Sequence, residues 1–397
     1  MKKLLAVASL AATIIPSTRL LAQADGLFDD LAHAGRYEVE DDDWLWGVGA
    51  GLDATFFFKN NEYFSPHIEG YTLVGYQVRP TVSYAMLPDL TLTAGLQALR
   101  YGGTESAAYV RPHFAVKWQA TEWLGVQAGS LPGLASHPQH EAIQDPEGQL
   151  TERPEFGAQL WISRPRLRGS VWVNWRKFIF MGDTVPERFT AGMSLTLGPW
   201  GGAGAGSRFF SMPVSLAFDH IGGQISDYPD TMQSVANVGL SPTLNVERSG
   251  WRFVQRLSFS LHMLGFHAMA GSEVRPFANG VAISPEARLT AKYLQANVAW
   301  YHANDFYAPH GNPLFSSVSN FDRAYYASKR DLVVFGASFV KALGGLGRFA
   351  FDAKGYFDAR ASRLDYSYGF TFVLTPGLSR PHAPFRREYG AKAADAD

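Results

Sequence analysis

The sequence predicts an all-β chain, a transmembrane antiparallel β-barrel of about sixteen strands, from alternation, export and loop-length signals together. Alternation is clearest from Tyr76 to Tyr84, where Tyr76, Val78, Pro80, Val82 and Tyr84 share one face and Gln77, Arg79, Thr81 and Ser83 the other. The same period of two recurs from Val110 to Trp118, with Val110, Pro112, Phe114, Val116 and Trp118 opposed to Arg111, His113, Ala115 and Lys117. A strand with one oily and one wet side suits a wall between lipid and water. An export signal precedes these strands, and no later stretch is long and apolar enough for a spanning helix. Connections alternate in length, as short inner turns and longer outer loops do in such barrels.

The chain divides into four segments. Residues 1–24 read as a signal peptide: Lys2 and Lys3, an apolar run from Leu4 to Ile15, then Ala22-Gln23-Ala24 before cleavage. Residues 25–43 form an acidic periplasmic lead-in ending in Glu38, Glu40, Asp41, Asp42 and Asp43, a solvated run without the glycine-centred spacing of a calcium loop. Residues 44–374 carry the barrel. Residues 375–397, with Pro376, Pro381 and Pro384 among arginines, read as a polar, disordered tail.

Short connections fall at Leu87 to Asp89, Ala120 to Glu122, Arg164 to Leu167, Lys292 to Tyr293 and Ala342 to Gly347. Longer ones fall at Pro132 to Glu152, His220 to Met232, Gly265 to Ala278 and Phe306 to Lys329. Tyr84, Trp118, Trp123, Trp200, Trp251 and Tyr293 cluster at the short turns as one aromatic girdle. Phe56, Phe57, Tyr101, Tyr109, Trp175, Phe178, Trp300 and Tyr307 are expected at the other interface. An aromatic fraction of 14% and 39 glycines agree with interfacial rings and tight turns. The absence of cysteine excludes disulfides, thiol catalysis and a lipidated N-terminal cysteine, and a net charge of -1 argues against nucleic acid as a partner.

The last strand runs Tyr366-Ser367-Tyr368-Gly369-Phe370-Thr371-Phe372-Val373-Leu374. Tyr368, Gly369, Phe372 and Leu374 occupy the positions of the assembly signal of bacterial outer-membrane barrels, which this strand resembles. Segments Gly75 to Tyr84 and Phe218 to Ile225 resemble uncharacterised Gram-negative, Bacteroidota-like outer-membrane proteins of porin type. The resemblance implies the outer membrane as location, with membrane lipid, lipopolysaccharide and the barrel-assembly machinery as partners, and homo-oligomers as an option.

The inner faces supply the candidate functional residues, a pore lining of Arg79, Arg111, His113, Lys117, Arg176, Arg188, Arg256, Arg288 and Lys354 with Asp53, Asp219, Glu286 and Asp352. Basic residues outnumber acidic ones there, which predicts a mild anion preference. No metal, cofactor or catalytic residue is expected. The loop His137-Pro138-Gln139-His140-Glu141, with Asp145, holds metal-donor types, but Pro138 disfavours the helix that would put two of them on one face. Ser260 and His262 share an inner face but point in parallel, a poor arrangement for proton transfer. His302, Asp305 and His310 flank a strand end without an evident third orienting partner. The sequence therefore reads as a porin-like channel for small hydrophilic solutes and not as an enzyme. The alternatives are a docking or assembly component of an envelope machine, and a lipid-modifying enzyme, which would carry its catalytic residues on the lipid face.

Overall fold

The computed structural model describes residues 47–378, apart from 106–107, 153, 202–206, 224, 226, 248–253, 323 and 376. The signal peptide, the acidic lead-in, Trp251 and the tail beyond 378 lie outside the described residues. The first strands are β1 (Val48–Glu62), β2 (Tyr71–Leu87), β3 (Leu90–Tyr101), β4 (Tyr109–Thr121), β5 (Leu124–Ser130) and β6 (Phe156–Arg164). Next come β7 (Leu167–Lys177), β8 (Glu187–Gly201), β9 (Arg208–Gly222), β10 (Gln233–Leu240), β11 (Thr243–Glu247) and β12 (Val254–Ala270). The last are β13 (Asn279–Ala291), β14 (Leu294–Asn304), β15 (Lys329–Ala342), β16 (Gly347–Asp358), β17 (Arg363–Leu374) and β18 (Gly377–Leu378).

All pairings between the strands are antiparallel and between neighbours, and β1 pairs with both β2 and β17, which closes the barrel. The strand segments make sixteen staves. Segments β10 and β11 both lie between β9 and β12 and form one stave, interrupted at Ser241 and Pro242, where proline cannot donate to the ladder. Segment β18 continues the last stave, with Gly377 opposite Gly51 and Leu378 opposite Ala50, so the wall extends past the expected boundary at 374. Closure leaves no unpaired edge, which a hydrocarbon surrounding requires.

The alternation is borne out: Val82, Phe114 and Trp118 are 54%, 51% and 47% exposed on the outer surface, whereas His113 is buried inside. At the short-turn end Trp118 Nε1 donates to Asp89 at 3.0 Å and Arg164 lies 3.9 Å over the Trp123 ring, anchoring the girdle to polar groups. At the other end Phe56, Trp175, Phe178 and Trp300 face outward as expected. Phe57, Tyr101, Tyr109 and Tyr307 do not, Tyr109 packing against the inner cluster of Phe57, Leu99 and Leu150. Phe57 packs inside with Leu99 and Leu150, Tyr101 donates to the Leu150 carbonyl at 2.8 Å, and Tyr307 packs 5.7 Å from Phe266. Parity rather than proximity to a strand end decides the face, and these residues have inward parity or sit on a loop.

The barrel also has an apolar core inside its outer half. The β5–β6 connection enters the lumen and crosses it, ending in one helical turn, Gly148–Thr151. Its Ile143 packs with Phe306, Leu314 and Phe315 of the β14–β15 connection against inward Tyr301, Leu332 and Tyr356. The two connections touch through backbone, with Asp145 N donating to the His310 carbonyl at 2.7 Å and Asn312 N to that of Glu141 at 2.9 Å. Gly311 makes this approach possible, since a Cβ there would fall 2.0 Å from the Ala142 carbonyl oxygen.

Candidate active site

Titratable groups gather at two places, on the outer surface near the outer strand ends and within the lumen. On β14, Val298, Trp300 and His302 share outward parity, and His302 lies two residues from the strand's end. Register places Asp331 of β15 directly opposite His302, and Nδ1 of the imidazole lies 2.6 Å from Asp331 Oδ1. A carboxylate at Nδ1 accepts the N–H and fixes the tautomer, which turns Nε2 into the basic atom. Nε2 has no partner among the described residues. Arg360, from the β16–β17 turn, engages the other Asp331 oxygen through Nε and is half exposed. Trp300 stacks on His302 at 5.7 Å, holding the ring at the interface.

Next to this pair the sheet opens. Ile283 of β13 is opposite His302 and Glu286 is opposite Ala299, with no rung between them, because Pro285 has no N–H to offer. An open groove of about 410 Å³ results, lined on its lipid side by Phe259, Pro285, Ala287, Val298, Trp300 and Val333. The groove ends at Trp300 and Val333, each two positions along the same strand face from His302 and Asp331, so an acyl chain lying in it would bring its polar linkage towards the base.

The predicted pore-lining residues all carry inward parity, and the structure shows what many of them meet. Arg79 binds Asp53 at 2.7 Å, Arg288 binds Glu286 at 2.8 Å and Arg256 binds Glu247 at 2.7 Å. Arg176 and Lys354 bind acids of the crossing connection, Glu152 at 3.4 Å and Glu141 at 2.7 Å. Asp219 accepts from His310 Nε2 at 2.8 Å, while Arg176 donates to His310 Nδ1 at 2.8 Å. Lys117 lies 5.2 Å over the Trp161 ring, and Arg111 Nε meets the Tyr109 hydroxyl at 2.5 Å. His113 and Asp352 are buried in the inner wall, and Arg188 sits at the outer end of β8 opposite Ile221. The tally of inner-face charges therefore overstates the positive bias, because acids from the crossing connection were outside it. The assembly-signal residues fall on the closing strand, with Gly369 opposite Lys59, Tyr368 opposite Asn60, Phe372 opposite Phe56 and Leu374 opposite Ala54.

The histidines of the crossing connection act as struts. His137 stacks 3.8 Å from Trp172 and meets Glu155 at 2.9 Å. His140 lies 4.7 Å from the His262 ring, and burial together with that neighbour lowers it to about 3, so it stays neutral. Although burial opposes ionisation, Lys354 and hydrogen bonds from Tyr356 and Asn312 hold Glu141 down to about 2. His262 does find a serine partner, not Ser260 but Ser241, at 2.8 Å. Ser260 instead bonds Thr243 at 2.9 Å. Asp305 accepts from the Tyr326 hydroxyl. Of the three residues placed at the β14 end, His302 does have an orienting partner, contrary to expectation. It was invisible in sequence because Asp331 lies on the next stave.

Fold and site together define a closed barrel with a polar lumen and a His–Asp pair on its lipid face. Residues 48–379 match the lipid A 3'-O-deacylase-type family, and the chain belongs to that family. This corrects the expectation that the protein is not an enzyme: the family takes its name from an ester-cleaving activity. No curated protein sequence matches the chain. Among solved structures it is similar to a loop-deletion mutant of the outer membrane protein OmpT of Vibrio cholerae, at 10% identity and TM-score 0.48, covering 83% of this chain and 99% of that one. It is also similar to a BenF-like porin from Pseudomonas fluorescens, at 7% identity and TM-score 0.48, covering 84% and 100%. The outer membrane protein opdK from Pseudomonas aeruginosa gives 10% identity, TM-score 0.48, and coverage of 83% and 98%. These likenesses concern the barrel alone. The protein is a closed antiparallel β-barrel of the lipid A 3'-O-deacylase type.

Proposed function

We propose that the protein hydrolyses an ester-linked acyl chain of lipid A or a similar outer-leaflet glycolipid, at the lipid-facing His302–Asp331 pair. The observation that carries this reading is the pair's position on the outside of the barrel, above the groove opened by Pro285. His302 Nε2 takes a proton from water as the water oxygen attacks the ester carbonyl. Asp331 orients the imidazole and stabilises its cation, and Arg360 positions Asp331. Collapse of the tetrahedral intermediate breaks the bond to the sugar oxygen, which takes the proton back from His302 and leaves a hydroxyl and a free fatty acid.

Mass spectrometry of lipid A incubated with purified protein in mixed micelles tests this. Wild type releases fatty acid, and His302→Gln lowers the rate by about 10²- to 10⁴-fold, the usual loss of a general base. Pro285→Val, which restores a donor to the open rungs, raises KM more than it lowers kcat. Undiminished release by a correctly folded His302→Gln variant rules out the site, and no release by wild type rules out the activity.

The charged inner wall favours a second reading, passage of small hydrophilic solutes. The connection across the lumen stands in the way of such passage.

A further inference from the structure

Along β12 the inward face changes character at its midpoint. Ala268, Phe266 and Leu264 belong to the apolar core under the crossing connection, whereas His262, Ser260, Ser258 and Arg256 continue towards the short-turn end as a polar row. The inward face of β13 does the same, with Ala282 in the core and then Ser284, Glu286 and Arg288. His262 therefore stands at the floor of the core, and Ser241, Ser260, Glu286 and Arg288 around it are all partly exposed to the lumen.

Three of these groups line up. Ser241 lies at the break between β10 and β11, and its Oγ is 2.8 Å from His262 Nδ1. The other ring nitrogen, Nε2, is 3.6 Å from Glu286 Oε2, and Arg288 Nε donates to Glu286 Oε1 at 2.8 Å. A carboxylate on the Nε2 side favours the tautomer with its proton there, so Nδ1 keeps a lone pair and accepts the Ser241 hydroxyl. Nucleophile, base and orienting acid thus follow one another, and contacts of this kind tighten when substrate binds. Two donors stand beside His262. His140 Nδ1 accepts from Ala142 N at 3.1 Å, which leaves the ring proton on Nε2, and its ring lies 4.7 Å from that of His262. Ser284, opposite His262, is 1% exposed, and its hydroxyl has no partner among the described residues.

We propose that Ser241, His262 and Glu286 form a separate lumenal site that hydrolyses small, water-soluble carboxylic esters entering from the short-turn end. The apolar core closes the lumen above His262 and restricts the acyl group to a short one. Ser241 Oγ bonds to the ester carbonyl carbon while its proton passes to His262 Nδ1, and Glu286 stabilises the resulting cation. The alcohol leaves with that proton, and the serine stays acylated. Water then adds to the acyl carbon and gives a proton to His262, which returns it to Ser241 Oγ as the carboxylic acid departs. His140 and Ser284 are the donors that the structure offers to the oxyanion.

The test incubates the full chain in detergent micelles with a small, uncharged fluorophosphonate and maps the label by peptide mass spectrometry. Attack on phosphorus displaces fluoride and leaves the nucleophile covalently marked. Wild type is labelled at Ser241, and Ser260→Ala, which removes the other serine of that face, is labelled there too. His262→Gln slows labelling by about 10²- to 10⁴-fold. Glu286→Gln slows it and moves the acid limb of the labelling profile to lower pH, because the imidazolium has lost its carboxylate, a shift that a merely structural acid would not produce. A wild type left unlabelled at Ser241, or undiminished labelling in His262→Gln, overturns the proposal. The lipid-facing pair contains no serine, so either result leaves the lipid A experiment standing. Migration of unheated samples in gels verifies that each variant forms the barrel.

Discussion

At the residue scale, Asp145 shows how far a side chain's chemistry depends on its destination. In the sequence it is one donor type beside a histidine-containing loop. In the structure it is half-buried beside Glu147, which also accepts from Asn61 at 2.9 Å and pairs with Lys59 at 3.3 Å. Burial, with Glu147 and Glu141 nearby, raises Asp145 to about 7. Between its unfolded value of about 3.9 and that raised value, the folded protein holds a proton that the unfolded chain releases. Its stabilising effect is therefore present at low pH and is lost as pH rises through the window, by on the order of a few kcal/mol. The protease resistance of the crossing connection should fall between about pH 4 and pH 7 and become flat in Asp145→Asn. A wild-type profile that rises with pH contradicts the assignment. His302 makes the complementary point, since its outward parity was legible from Val298 and Trp300. Its partner was not, because Asp331 becomes adjacent only through the register of β14 on β15.

At the element scale, the strands were legible because each must satisfy lipid on one side. The short turns at Leu87 to Asp89, Arg164 to Leu167 and Lys292 to Tyr293 fall where the chain changes direction. The path of the β5–β6 connection was not legible. Its letters are those of any polar loop, and what draws it inward is a set of wall groups on distant staves: Lys59, Arg176, Ser194 and Lys354. The apolar inner face of β14 to β16 was hidden for the same reason, because Tyr301, Leu332 and Tyr356 are buried by loop residues and not by lipid. Strand parity still makes a sharp prediction where no loop interferes. Arg at Val82, on the lipid face, should destabilise folding into bilayers by about 2 to 4 kcal/mol near the midplane, and Arg at Thr81 on the inner face by much less. Folding titrations into lipid vesicles measure both, and equal costs would invalidate the register of β2.

At the scale of the whole molecule, closure and occupancy of the lumen are separate properties. Sixteen staves make a barrel wide enough for an aqueous channel, yet the β5–β6 connection reaches the β1–β3, β5–β9 and β14–β16 walls. Its carboxylates are also the counter-charges of the lumen, so blocking and electrostatics are coupled. Substituting Glu141→Gln and Glu147→Gln removes the acids facing Lys354 and Lys59 and loosens the connection while keeping the shapes of the side chains. Planar-bilayer recordings of wild type should show small conductance with weak ion preference, because Arg79, Arg176, Arg256, Arg288 and Lys354 all have acidic partners. The double variant should conduct more and favour anions, since the fixed charge of the lumen becomes more positive by two, an effect that fades as salt shortens the Debye length below about 8 Å. A large wild-type conductance that the double variant leaves unchanged would mean that the connection does not block the path. A rise in conductance with no change in selectivity would mean that Lys59 and Lys354 lie off the path, and that ions travel along the other side of the lumen.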